Sequence, residues 1–278
     1  MEQQDLEQIV ETNGESEEIK DQDDILIKQL CEGIDAYRKN RVSTFLSSLM
    51  AGLEVGFSFL LVAIVYSLFA GEVPDKFIPY LAAFVYPLGF ILVVLGKSVL
   101  FTEQTSLLSL PVLSGTKTVG DLMSLWGIVI FGNLIGGYVI AGFIVWIGPE
   151  LGIISHTGLE NLAEHVNHYS RPVILGSAVL AGWLMALLSW TITSTKAASG
   201  KIMIIYIITF LIAMAGLHHS IVGSIEVFAG LLVSSKIGFV DYLTFQSTAL
   251  VGNALGGVVF VALLKYGAFL ANNSSKLS

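Results

Sequence analysis

The sequence predicts an all-α membrane protein of six transmembrane helices, arranged as an inverted 3+3 repeat whose second and fifth helices are broken. Three observations predict it. Apolar residues make up 54% of the chain and charged residues only 13%, with a mean hydropathy of +0.76, which excludes an ordinary soluble domain. The runs 77–96, 122–148, 172–195 and 242–264 carry no charge, and about 20 apolar residues suffice to cross a bilayer. Finally, Gly132-Asn133-Leu134-Ile135-Gly136-Gly137 returns as Gly252-Asn253-Ala254-Leu255-Gly256-Gly257, 120 residues later. An amide inside an apolar helix must find a partner where water is absent. Placing one twice, at matching positions, marks an internally duplicated membrane protein.

Residues 1–24 read as a disordered acidic tail, polar and without periodicity. Seventeen of the first 41 residues are charged, and the tail supplies much of the net charge of −8. An acidic start is the reverse of a cleavable secretion signal. Residues 25–41 form an amphipathic surface helix, with Ile25, Ile27, Leu30, Ile34 and Tyr37 near helical spacing.

The first transmembrane repeat covers 42–148. Its first span runs from about 43 to 69 and carries Glu54. The second starts near Phe77 and is interrupted beyond Gly96 by Lys97-Ser98, then by Leu100-Phe101-Thr102-Glu103-Gln104-Thr105. A short apolar piece reaches Leu113, and the third span covers about 119–147. Residues 149–170 are an extracytoplasmic loop. Its His156, His165, His168, Glu160 and Glu164 suit a solvated loop better than a metal site. The second repeat covers 171–271. Its fourth span is about 172–194, and the fifth starts near Ile202 and meets Leu217-His218-His219-Ser220. A short piece from Ser224 to Val233 follows, then the sixth span over about 242–270. Residues 272–278 are a cytoplasmic tail.

Two interrupted spans in corresponding places are the sequence mark of a binding site built from broken helices. With the N-terminus inside, Arg38, Lys39, Arg41, Lys117, Lys196, Lys201, Lys265 and Lys276 lie inside, against Lys76, Arg171 and Lys236 outside. This excess places both termini in the cytoplasm, and three spans per half then invert the second repeat.

A half-helix restarting in mid-membrane presents free N–H groups and its positive dipole end to the break. Two such ends attract an anion without a fixed positive charge. Thr102 offers a hydroxyl at one break, either to an anion or to its own helix end. His219 offers a group that exchanges protons near neutral pH, with His218 and Ser220 beside it. Asn133 and Asn253 either tie helices together or reach the site, and Asn253 is the better placed to touch His219. Leu100 and Phe101 are a hydrophobic gate or ordinary lining. Lys97 adds positive potential near the first break, whereas Glu54, Glu103 and Glu226 are three acids ill suited to an anion path. The single Cys31 excludes an intrachain disulfide and any multi-cysteine metal site. No nucleophile–base set, phosphate loop or zinc motif is present, so neither catalysis, a cofactor, a metal nor nucleic-acid binding is expected.

Leu100-Phe101-Thr102, Phe131-Gly132-Asn133, Gly216-Leu217-His218-His219-Ser220-Ile221 and Gly252-Asn253 together resemble the formate/nitrite transporter family over about residues 40–270. Phe-Thr-Glu-Gln-Thr and the acidic extension resemble its YfdC-like branch. The resemblance implies an aquaporin-like protomer in a homopentamer of the inner membrane, with one pore per protomer. It further implies that Thr102 and His219 flank the central site, that Asn253 supports the histidine, and that small monovalent weak-acid anions such as formate or nitrite pass, with a proton. Well-studied members of that family carry an acid just before the central histidine, where this chain has His218. They also carry a vestibule lysine, where this chain has Val166 and its nearest base is Arg171. A pore for a neutral solute, or a non-conducting scaffold acting through the acidic tail, are the alternatives.

Overall fold

The computed structural model describes residues 21–276, and among these the elements are helices, with one isolated bridge between Ala70 and Val73. The expected disorder of residues 1–20 lies outside the described residues. Helix α1 (Gln22–Arg38) begins three residues earlier than the periodicity suggests. Asp23 and Asp24 occupy its first turn, where negative charge complements the positive helix end. Helix α2 (Arg41–Phe69) follows at once, its first turn capped by the Asn40 side chain accepting from the Val42 N–H at 2.8 Å.

The second span is more fragmented than the sequence suggests. A 3₁₀ turn (Asp75–Phe77), α3 (Ile78–Ala83) and α4 (Pro87–Gly96) share it. Pro87 has no N–H to continue the ladder, so a new helix must start there. Next come α5 (Phe101–Leu113) and α6 (Val119–Glu150). The start of α6 is set by Thr118 and Asp121, which each accept the other's backbone N–H, a reciprocal cap of known worth.

The 149–170 loop is not irregular. It carries α7 (His156–Asn167), whose Leu159, Leu162 and Ala163 are buried. The chain continues through α8 (Arg171–Thr193), α9 (Ala198–Met214), α10 (Val222–Val233) and α11 (Phe239–Gly257). After a π-helical turn (Val258–Leu263), α12 (Leu264–Lys276) ends the described chain. The polar tail expected from residue 272 is thus helical to Lys276. Its last two residues lie outside the described chain.

Five segments among the described residues are long and apolar enough to cross a membrane: Arg41–Phe69, Asp75–Gly96, Val119–Glu150, Arg171–Thr193 and Phe239–Asn272. The fifth expected span falls on α9, which at 17 residues is shorter. Phe57, Phe84, Phe131, Trp146 and Val251 project from this bundle exposed, whereas Phe59, Phe90, Leu100 and Phe101 fill its centre around the breaks.

Two helix pairs pack in the same way, α2 on α6 and α8 on α11. A Cβ on Gly52 would strike the Asn133 carbonyl oxygen, and one on Gly182 the Asn253 carbonyl oxygen. Only glycine allows so close a backbone approach. Gly182→Val should therefore destabilise the detergent-purified protein by about 1–3 kcal/mol through overpacking, read as earlier loss of the folded species on heating. An unchanged transition would mean that this helix pair is free to separate.

The amphipathic face of α1 is docked on protein, not left at a surface. Ile25, Leu26, Gln29, Gly33 and Ile34 are buried. The Tyr37 hydroxyl donates to the Leu108 carbonyl of α5 at 2.8 Å. Burial, then the charge of Asp121, pushes the Tyr37 phenol up to about 12, with Arg41 opposing, so it stays a donor.

Candidate functional site

Both breaks leave the preceding helix by the same exit. Lys97 ends α4 at φ 58°, and Gly216 follows α9 at φ 62°. Lys97 is the non-glycine residue with positive φ among the described residues, a conformation that costs an L-residue roughly 1–2 kcal/mol. It reverses the chain so that Ser98–Leu100 runs irregular into α5, as Leu217–His219 runs toward a turn at Ser220 and Ile221 that opens α10.

The two asparagines hold these breaks by matching sets of bonds. Asn133 Oδ1 accepts from the Phe101 N–H at 2.8 Å, and its Nδ2 donates to the Ser48 carbonyl (2.7 Å) and the Val99 carbonyl (2.9 Å). Asn253 Oδ1 accepts from the Ser220 N–H at 2.7 Å, and its Nδ2 donates to the Ala178 carbonyl (2.7 Å) and the His218 carbonyl (3.1 Å). Each amide ties a break to both helices of its pair and satisfies backbone groups that would otherwise be buried without partners. Asn253 therefore grips the backbone on either side of His219, and its amide bonds go to backbone groups and not to the ring.

This has an electrostatic consequence. The half-helix ends expected to present free N–H groups have already committed some of them. Phe101 N–H is taken by Asn133, and Val222 N–H donates to His219 Nδ1 at 3.2 Å.

That last bond defines the histidine. Because Nδ1 accepts, the ring proton sits on Nε2, which lies 2.7 Å from Thr102 Oγ1 and donates to it. Thr102, the second residue of α5, and His219, three residues ahead of α10, are thereby joined across 117 positions of sequence. Both are buried, Thr102 at 0% and His219 at 2% exposure. Phe90 packs edge-on against the imidazole, ring centroids 5.2 Å apart at 85°.

Two cavities approach this pair from opposite sides. The wide one, about 550 Å³, lies against α1. Its wall holds Lys28, Lys39, Lys97, Lys196 and Lys201 against Glu32, Asp35 and Glu103. The narrow one, about 70 Å³, lies against α7 and is lined by Tyr66, Tyr86, His165, Tyr169, His218, His219 and Glu226, among others. His219 faces the narrow cavity, Thr102 holds His219, and Glu103, the next residue, faces the wide one. The Thr102–His219 bond thus links a residue of the narrow cavity to the turn of α5 that reaches the wide one.

The remaining residues singled out in the sequence fall as follows. His218 lines the narrow cavity, but both ring nitrogens are occupied, Nδ1 with Ser177 Oγ at 2.8 Å and Nε2 donating to the Val166 carbonyl at 3.0 Å. Ser220 is buried, and its Oγ has no partner among the described residues. The Lys97 backbone makes the first break, and its side chain is exposed where it lines the wide cavity. Leu100 and Phe101 line neither cavity; Phe101 packs edge-on against Trp126 at 5.4 Å.

Arg171, the base nearest the narrow side in sequence, does not line that cavity. Its guanidinium donates to Thr244 Oγ1 at 3.4 Å. In the α7 region Glu164 pairs with Lys236 at 2.5 Å. Burial, then the neighbouring His168, holds His165 below the usual histidine range. Phe90, Ser177 and Tyr86 were absent from the sequence expectation, since a Phe, a Ser and a Tyr inside apolar helices carry no motif of their own.

Helices broken in mid-bundle, with two half-helix starts joined between opposed cavities, define a membrane protein of the channel or transporter class. The formate/nitrite transporter family profile matches residues 24–267, and the chain belongs to that family. It is 29% identical over 251 residues to the inner membrane protein YfdC of Escherichia coli K12, covering 88% of this chain and 78% of that protein. The nitrite transporter NirC of Salmonella typhimurium is 25% identical, covering 81% of this chain and 82% of NirC. The formate channel FocA of Escherichia coli K12 is 24% identical, at 87% and 91% coverage. Two solved structures share the fold. An ion channel of the same family has a TM-score of 0.79 at 24% identity, covering 88% of this chain and 98% of that one. A pentameric formate channel with formate bound has a TM-score of 0.69 at 20% identity, at 83% and 98%.

Proposed function

We propose that the chain conducts small monovalent anions of weak acids, formate or nitrite among them, across the cytoplasmic membrane, as a channel or carrier and not an enzyme. In this proposal α9 completes a set of six spans, the halves are inverted repeats, and five protomers assemble with a pore in each. The observation that carries it is the Thr102–His219 pair, buried between two opposed cavities at the starts of α5 and α10. The matched bonds of Asn133 and Asn253 support the repeat. The solved pentamer of related fold supports the assembly. The lysine-rich wide cavity supports a cytoplasmic position for that side and for both termini.

The wide cavity gathers anions by its lysines, most simply through Lys97 at the rim. At the closure the anion takes hydrogen bonds from the Thr102 hydroxyl and from His219 Nε2–H in place of the bond they make to each other. A bare charge at the bilayer centre costs at least about 2.5–3.5 kcal/mol, so passage is easier for the conjugate acid. His219 serves here as a hydrogen-bond donor: a second proton on Nδ1 would have to displace the Val222 N–H.

The test is uptake of labelled formate into proteoliposomes, with nitrite, lactate and hydrosulfide as competitors, at acidic and mildly alkaline pH. Saturable uptake that rises at acidic pH is the expected result. Glu226 in the narrow cavity favours a second reading, a pore for a neutral solute. Osmotic swelling with a neutral solute, insensitive to pH, in vesicles that take up no anion would establish that reading instead.

A further inference from the structure

Glu226 has no part in the site as described, and its surroundings are unusual for an anion pathway. It lies in the first turns of α10, 6% exposed, with the small opening that remains directed into the narrow cavity. No lysine or arginine lines that cavity among the described residues. The titratable groups that face it are Tyr66 of α2, Tyr86 before α4, His165 of α7, Tyr169, and the two histidines of the break.

None of these supplies a compensating cation. His219 Nδ1 accepts from the Val222 N–H and so carries no proton, and the His218 ring is turned away to Ser177 Oγ and the Val166 carbonyl. Burial and His168 hold His165 toward its neutral form at neutral pH. From α11, Tyr242 is engaged with Ser224 and Tyr138. Lys236, just beyond α10, is committed to Glu164.

Glu103 is the counterpart that makes the difference plain. It also lines a cavity from a half-helix, but five lysines share its wall and Gln104 Nε2 donates to its Oε2 at 2.9 Å. A carboxylate there has cations on the same wall, beside Glu32 and Asp35. A carboxylate at Glu226 would stand alone in a space of about 70 Å³ and would repel the anion that must enter the same space. The protonated carboxyl does the opposite, presenting an O–H donor to an acceptor.

Building on the transport reading above, we propose that Glu226 is the group that protonates the anion in the narrow cavity. The Glu226 O–H bond breaks and the proton moves to the bound anion, leaving a carboxylate and the neutral conjugate acid. The acid passes the Thr102–His219 pair and releases its proton to water or a base in the wide cavity. Hydronium from the α7 side then returns a proton to Glu226. One proton crosses with each anion, so no net charge is moved. The substrates are therefore anions basic enough to take a proton from a carboxyl group, such as formate, nitrite or hydrosulfide. Chloride and nitrate, which do not accept one, are excluded.

The experiment compares the full-length protein with Glu226→Gln and Glu226→Asp in proteoliposomes, each variant first shown to elute as the same assembly as wild type. Labelled formate uptake is followed together with a trapped pH dye across external pH. Wild type should take up formate with matching internal acidification, and should take up neither chloride nor nitrate. Glu226→Gln should lower uptake at least about tenfold near neutral pH and flatten its rise toward acid, while Glu226→Asp keeps the wild-type profile. Glu226→Gln with the wild-type rate and profile, or with faster uptake and an unchanged profile, would overturn the assignment. Wild-type vesicles that take up no weak-acid anion would overturn the transport reading and this inference with it. Normal wild-type uptake beside an indifferent Glu226→Gln overturns this inference alone.

Discussion

Asn253→Leu should destabilise the protein by on the order of 3 kcal/mol or more, among the largest effects of any single substitution in the chain. Leucine matches the side chain in bulk but makes none of its three bonds. The Ser220 N–H and the carbonyls of Ala178 and His218 would lose their partners in a setting without water. Each buried group left unsatisfied costs about 1–3 kcal/mol. Denaturation in mixed micelles, followed by helical signal, measures the loss. Asn253→Asp gives a useful contrast, since it keeps an acceptor for Ser220 but cannot donate. Should Asn253→Leu unfold at the wild-type denaturant concentration, the break would have to be held by packing alone. The equivalent bonds of Asn133 imply a similar cost at Asn133→Leu.

His219→Phe should lower formate uptake more than about tenfold, equivalent to about 1.4 kcal/mol in barrier height, at every pH tested. Phenylalanine keeps a ring against Phe90, so the closure stays filled. Both hydrogen-bonding edges disappear, however, leaving the Val222 N–H and the Thr102 hydroxyl without their partner. The shape of the pH profile should survive, because the ring acts as a donor and not as the source of the proton. This separates the variant from Glu226→Gln, which alters that shape. Wild-type uptake in His219→Phe would remove the imidazole from the pathway.

The two breaks and the paired Gly-Asn phrases were legible in the sequence, because each sets a polar group against an apolar background, whereas the placing of Thr102 beside His219 came from the family resemblance. Their geometry was less so. An asparagine between glycines announces that an amide is buried, but not which backbone groups it grips, and these are neighbours of the histidine and not its ring. Helix α7 was hidden inside a polar loop because its apolar face has only Leu159, Leu162 and Ala163 buried with Gly158. Arg171 seemed well placed from its position in the chain, yet its side chain is drawn to Thr244. The wide cavity escaped notice altogether. Its lysines come from α1, the first break and the segment around the start of α9, and only folding assembles them.

The unequal sizes of the two cavities have a consequence for hydration. On the α1 side, about 550 Å³ lets an ion arrive still wearing most of its water. On the α7 side, about 70 Å³ leaves room for only a few water molecules, so an ion coming that way must shed its shell before it meets Thr102 and His219. Dehydration therefore falls at the threshold for one direction of travel and ahead of it for the other. On the proposed pathway, the unequal cavities would make the protein a rectifier of solvation.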